Sequence, residues 1–157
     1  MGSIKVKGKW CYLYRAIDRD GNLVDSMLSQ KRDMVAAQAF FTDAIALVEQ
    51  VPERVTTDGH DSYPRAIAEV LGTNVLHRVS DCLTNRIEQD HRGIKQRYYP
   101  MLGFGTFESA KRFCQAFDEV RNYFQSRSRM KEFVSLSQKR NLFVNRVQQL
   151  QSIFQSA

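Results

Sequence analysis

In this 157-residue chain, Asp58, Glu88, His91 and Lys95 are the residues whose types and spacing could do chemistry together. The run Asn85-Arg-Ile-Glu88-Gln-Asp-His91-Arg-Gly-Ile-Lys95-Gln-Arg97 carries three of them. Thr84, Glu88, His91 and Lys95 step by four, three and four, which at 3.6 residues per turn predicts one narrow helix face. Leu83, Ile87, Ile94 and Tyr98 form an adjacent apolar stripe that would dock the helix. An acid, an imidazole and an amine beside a buried stripe can hold a metal ion through Glu88 and offer a phosphate to Lys95. Asp58, thirty residues upstream of Glu88, ends the run Val55-Thr-Thr-Asp58 and supplies a second carboxylate. The same spacing also describes an ordinary amphipathic surface helix with its charges in water, and the spacing alone leaves both readings open.

These side chains need elements to place them. Residues 54–58 are short, β-branched and bounded by Pro52 and Gly59, which predicts a buried strand ending on Asp58. The carboxyl end of a strand is where open α/β sheets keep their ligands. Upstream, residues 4–30 read as three antiparallel strands, with Asp20-Gly21-Asn22 as a hairpin turn. In the middle strand, Trp10, Tyr12, Tyr14 and Ala16 alternate with Cys11, Leu13, Arg15 and Ile17, so both faces are expected to be covered. Asp33 is a candidate N-cap for a helix running to the Val51-Pro52 break. Pro64 to Leu71 reads as a short helix and Asn74 to Val79 as a strand, with the glutamate helix starting near Asp81 to Thr84. His60, Asp61 and Tyr63 read as a loop and helix start, with Asp61 or Ser62 as the cap. Thr106, with Ser109 nearby, opens a long helix whose face of Phe107, Phe113, Phe117 and Phe124 must be buried on the core or in a subunit interface. Ser126 to Arg129 reads as a joint, and Leu142 to Phe154 as a last amphipathic helix.

A hydrophobic content of 43% with 11% aromatic residues suits a folded domain with a core. No run of eighteen apolar residues predicts a membrane span, and the amino terminus lacks the apolar block of a signal peptide. Cys11, Cys82 and Cys114 are odd in number and widely spaced, which argues against a disulfide framework and a zinc site. The formal charge of +6 is concentrated in residues 121–157, where seven basic residues face the single acid Glu132. A neutral body with a basic end suits contact with a polyanion, nucleic acid foremost, and equally a solvated terminal helix.

Four blocks, Ile4-Lys-Val-Lys-Gly-Lys-Trp10-Cys-Tyr-Leu-Tyr-Arg-Ala-Ile-Asp18, Thr57-Asp58, Asn85-Arg-Ile-Glu88-Gln-Asp-His91 and Met101-Leu-Gly-Phe104, resemble in that order the catalytic core of bacterial insertion-sequence transposases of the DDE type. The resemblance implies an α/β, ribonuclease-H-like fold: a mixed sheet of antiparallel strands 1–3 followed by parallel strands, flanked by helices. It implies a catalytic core over residues 1–125 and a basic helical extension over 126–157. The chemistry implied is DNA transposition, an in-line attack on a phosphodiester by water and then by the freed 3′ hydroxyl, using Mg²⁺ with Mn²⁺ as substitute. Carried over by position, Asp58 is the second acid and Glu88 the third, both catalytic metal ligands. Lys95 matches the family's DNA-contacting base, and Arg92, Arg97 and His91 beside it are expected at the DNA as well. The implied partners are element ends and target DNA, with a second copy of the chain or a full-length transposase; the implied location is the bacterial cytosol, at the nucleoid and off the membrane. In the family the first aspartate would fall one position before Met1, preceded by a helix-turn-helix region. The expectation is therefore a core short of one acid, binding metal weakly and joining no strands by itself. The alternative is a non-catalytic DNA-binding or transposase-pairing remnant that regulates transposition, and a weaker third reading is a stand-alone ribonuclease-H-like nuclease.

Overall fold

The computed structural model describes residues 2–80, 85–125 and 134–156, with the backbone alone for 85–90. Thr84, Leu83, Cys82, the start of the glutamate helix and the Ser126 to Arg129 joint lie outside the described residues, as do the side chains of Ile87 and Glu88. The chain opens with β1 (Gly2–Val6), β2 (Lys9–Ile17) and β3 (Leu23–Ser29), an antiparallel sheet in that order. Lys7 and Gly8 both take positive φ (48° and 77°), the two-residue geometry that matches the twist of the flanking strands. The second hairpin closes through Asp18, whose side chain accepts from the Asn22 N–H at 2.8 Å, with Gly21 at φ 88°. In the register Ile4 faces Cys11 and Leu13 faces Leu28, so one apolar column forms on one side of the sheet.

That column is covered by α3 (Asn85–Tyr98) and α4 (Phe107–Phe124): Ile4, Val6, Cys11, Leu13 and Leu28 pack with Ile94, Tyr98, Phe104, Ala110 and Cys114. The opposite face carries Tyr14 and Met27, covered by α1 (Met34–Val48) and α2 (Ser62–Val70) through Ala37, Phe40, Phe41, Tyr63, Ala66 and Ile67. Full burial of each large side chain contributes about 1.5–3 kcal/mol, so the two cores hold helices on both sides of β2. Trp10 departs from the expected cover: it is 52% exposed at the hairpin end, beyond the helices, with Lys5 Nζ 5.1 Å above its ring. Asp33 caps α1 as expected, accepting from the Ala36 N–H at 2.9 Å, and Thr106 caps α4 by accepting from the Ser109 N–H at 3.1 Å.

β4 (Arg54–Thr57) and β5 (Leu76–Val79) pair in parallel, from Arg54 opposite Leu76 to Thr57 opposite Val79. The expected antiparallel and parallel strands are both present, but among the described residues they form two sheets instead of one mixed sheet. The outer edge of β1 explains part of this. Its backbone groups at Lys5 and Lys7 are taken by Phe104: Lys7 N–H donates to the Phe104 carbonyl (2.9 Å) and Phe104 N–H to the Lys5 carbonyl (3.1 Å). Lys5 N–H donates to the Tyr98 hydroxyl at 2.6 Å. Positions that would bond another strand are thus satisfied by the segment joining α3 to α4. That segment includes a single 3-10 turn, Tyr99–Met101.

α5 (Leu136–Gln155) is capped by Ser135 and Gln138 in a reciprocal capping box. It crosses the end of α4, where the Phe124 and Phe143 rings lie 5.0 Å apart and Arg146 bonds the Tyr123 and Gln125 carbonyls. No residue of α5 is buried. Among the described residues, no helix is long and apolar enough to cross a membrane.

Candidate catalytic and DNA-binding site

Asp58 is the first residue after β4, and the chain turns away from it at Gly59. Gly59 has φ 80°, and a Cβ there would meet Val79 Cγ1 at 2.7 Å, so both backbone and space demand glycine. Thr57 fixes the strand end: its hydroxyl accepts from the Gly59 N–H at 3.2 Å and bonds His77 Nε2 of β5 at 2.8 Å. The Asp58 carboxylate is half-buried. Its Oδ2 accepts from Arg32 Nη2 at 3.1 Å, an ion pair whose side chains are 28% and 29% exposed. Tyr63 and Tyr14 lie under the pair. Burial pushes both phenols up, and the Asp58 charge adds to the shift.

His60 belongs to the start of α2, with Nδ1 bonded to the Ser62 hydroxyl at 2.8 Å and its ring edge-on to Tyr63. Asp61 occupies the capping position with no side-chain bond to the helix: the Tyr63 N–H donates to the His60 carbonyl at 3.0 Å, and Pro64 has no N–H to offer.

Glu88 lies on α3; the position of its carboxylate is outside the described residues. At about 100° per residue, Arg92 and Lys95 point within roughly 40° of the Glu88 direction, one exposed and the other half-buried. Arg97, nine residues on, points roughly 180° away. Its guanidinium lies 5.5 Å from the Phe117 ring centroid and donates to the Gly93 carbonyl at 3.3 Å. His91, expected on the face of Glu88 and Lys95, is turned into the core and is 4% exposed. It packs against β1 so closely that a Cβ at Gly2 would meet its Cδ2 at 2.8 Å. Burial foremost, then the charge of the amino terminus and those of Arg15 and Lys95, lowers its pKa to about 3, so the ring is neutral at pH 7. The four residues expected at DNA therefore divide: Arg92 and Lys95 share the Glu88 face, Arg97 faces α4, and His91 is interior.

A carboxylate at a strand end is a hard oxygen donor of the kind Mg²⁺ and Mn²⁺ prefer, and Asp58 already holds one cationic group on Oδ2. The donor type therefore fits a divalent ion. Among the described residues no three His, Cys, Asp or Glu side chains converge into a metal-binding group. Two charged residues escaped the sequence reading. Arg32 stands just before the α1 cap and meets Asp58 across 26 residues. Arg15, inside β2, donates from Nη2 to Asp118 Oδ1 of α4 at 2.5 Å, with both side chains buried. Lys31-Arg32-Asp33 offered a charge run beside a cap, but no spacing rule links it to residue 58.

A protein-family model described as a DDE domain matches residues 3–127. The transposase for insertion sequence-like element IS431mec of Staphylococcus aureus is 45% identical over 98 residues, 60% of this chain and 43% of that protein. The transposase for insertion sequence element IS257 in transposon Tn4003, also from Staphylococcus aureus, gives the same identity and coverage. An uncharacterized protein of Yersinia pseudotuberculosis, pYV0051, is 40% identical over 70 residues, 43% of this chain and 65% of its own length. The match thus spans less than half the length of the staphylococcal relatives. No solved structure matches.

Proposed function

We infer, since this chain belongs to the DDE-domain family of insertion-sequence transposases, that its residues serve the metal-dependent cutting and joining of DNA in transposition. The observation that carries this reading is Asp58 at the carboxyl end of β4, inside the matched region that also contains Glu88 on α3. The core is ribonuclease-H-like, and Asp58 and Glu88 are its catalytic carboxylates and Mg²⁺ ligands, with Mn²⁺ as substitute. Asp58 and Glu88 would hold a divalent cation, which when bound would supply a more acidic nucleophile and charge stabilisation for the leaving oxygen. The protein's part is placement. Thr57, His77 and Gly59 fix the direction of Asp58, while Arg92 and Lys95 present positive charge to the phosphates on the Glu88 face. His91, neutral and interior, sets how α3 lies on β1 and so positions Glu88.

Asp58 and Glu88 are two of the three acids that the family resemblance assigns. A second reading is favoured by α5, a basic helix with no buried residue and with Phe143 50% exposed. In that reading the chain binds DNA, or pairs with another copy or a full-length transposase, and regulates transposition without catalysing it. The deciding experiment is Mn²⁺-dependent nicking and joining of labelled duplex DNA by this chain and by a version with Met-Asp-Glu in place of Met1, which keeps Gly2 against His91. Activity in the extended version alone, lost again in Glu88→Gln, is the expected result. Silence from both, with folding verified by circular dichroism, favours the regulatory reading.

A further inference from the structure

We propose that Arg32 is a positioning residue that holds Asp58 when no metal is bound and exchanges the carboxylate for a DNA phosphate when a divalent ion arrives. This rests on Asp58 being a metal ligand. Arg32 comes from the β3–α1 connection, where the Asp33 cap fixes the backbone, and reaches across to the end of β4. Its Nη2 lies 3.1 Å from Asp58 Oδ2. A divalent ion held by Asp58 would draw on the same carboxylate that Arg32 engages. Two cations on one carboxylate repel, and a guanidinium cannot lose its charge near neutral pH, so metal and Arg32 compete for Asp58. Both side chains are about three-tenths exposed, which gives the arginine room to swing out. A displaced guanidinium, still tethered beside the carboxylate, is a donor suited to a phosphate oxygen of the strand being cut. Metal and DNA then each favour the binding of the other, because each takes one half of the pair.

The test is Mn²⁺ binding to the full chain, read from the electron paramagnetic resonance signal of the free ion. A partly exposed ion pair of this kind opposes the metal by up to roughly fivefold, so Arg32→Gln should bind Mn²⁺ up to that much more tightly than the unaltered chain. Adding a short duplex should tighten Mn²⁺ binding to the unaltered chain and leave Arg32→Gln unmoved. A merely structural arginine would give the opposite sign, since its loss would loosen the site. Equal or weaker Mn²⁺ affinity in Arg32→Gln overturns the proposal while leaving Asp58 as a ligand. Mn²⁺ binding that is undetectable in both, or unchanged by Asp58→Asn, overturns the metal-ligand reading and this inference with it. Arg32→Met serves as the second variant if Arg32→Gln fails to fold.

Discussion

Replacing Asp118 by alanine should destabilise this protein by about 3–5 kcal/mol, the cost of removing one partner of a buried ion pair. Asp118 lies on the inner face of α4 and is 4% exposed; the side chains of Arg15 and Asp118 are 1% and 5% exposed. At this depth water cannot solvate the arginine once the carboxylate is gone. Arginine also cannot shed its proton to escape, as a buried lysine or histidine would. Against a total stability of about 5–15 kcal/mol for a domain, the loss is about a fifth or more of the whole. At about 2–4 °C per kcal/mol for a chain of this length, the melting temperature should fall by roughly 6–20 °C. The assay is urea unfolding followed by circular dichroism, on Asp118→Ala, Asp118→Leu, Arg15→Met and the double variant Arg15→Met with Asp118→Leu. The double variant should cost far less than the two single changes together, because apolar replacement of both partners removes the desolvation along with the attraction. A loss below about 1 kcal/mol in Asp118→Ala, or strict additivity in the cycle, would refute the reasoning.

Gly59→Ala forces a side chain into positive φ and against Val79, and should cost about 1–3 kcal/mol in urea unfolding. His91 has a folded-state pKa of about 3, below its unfolded value of about 6.5, so the folded state binds fewer protons. Its contribution is full above about pH 6.5 and is lost as pH falls toward 3, at up to roughly 1.4 kcal/mol per pH unit. Unfolding midpoints measured across that window should flatten in His91→Gln. Lys95→Ala should reduce the log–log salt slope of duplex binding, read by fluorescence anisotropy, by about 1. Arg97→Ala should leave that slope unchanged, since its guanidinium is engaged with Phe117 and the Gly93 carbonyl.

The hairpins, α1 and the strand leading to Asp58 were legible because each is written in local chemistry: turn residues, a cap, and an apolar period of two or near four; that strand was expected to be buried, but only Thr57 is. His91 was harder to place. It falls between the apolar stripe of Ile94 and Tyr98 and the polar face of Arg92 and Lys95, and only the closeness of β1 at Gly2 decides which way the ring goes. Arg15 and Asp118, 103 residues apart, each look like an ordinary surface charge until strand and helix are packed together. Arg32 and Asp58 are hidden in the same way, because a tertiary ion pair leaves no period in the sequence. How the strands would join was misread for a related reason. The competitor for the β1 edge, Phe104, is a loop residue whose backbone rather than its side chain takes the bonds.

That loop has a consequence for how the molecule behaves at high concentration. A bare edge strand is a template onto which a neighbouring molecule can add its own strand and begin an aggregate. At Lys5 and Lys7 the outward backbone groups of β1 are already engaged by Phe104 and Tyr98, and two lysine charges flank the spot. The Phe104 ring, stacked on Tyr98 at 5.8 Å between centroids, works as a latch on that seam. Loosening it would disturb the core on that side and bare a sticky edge together.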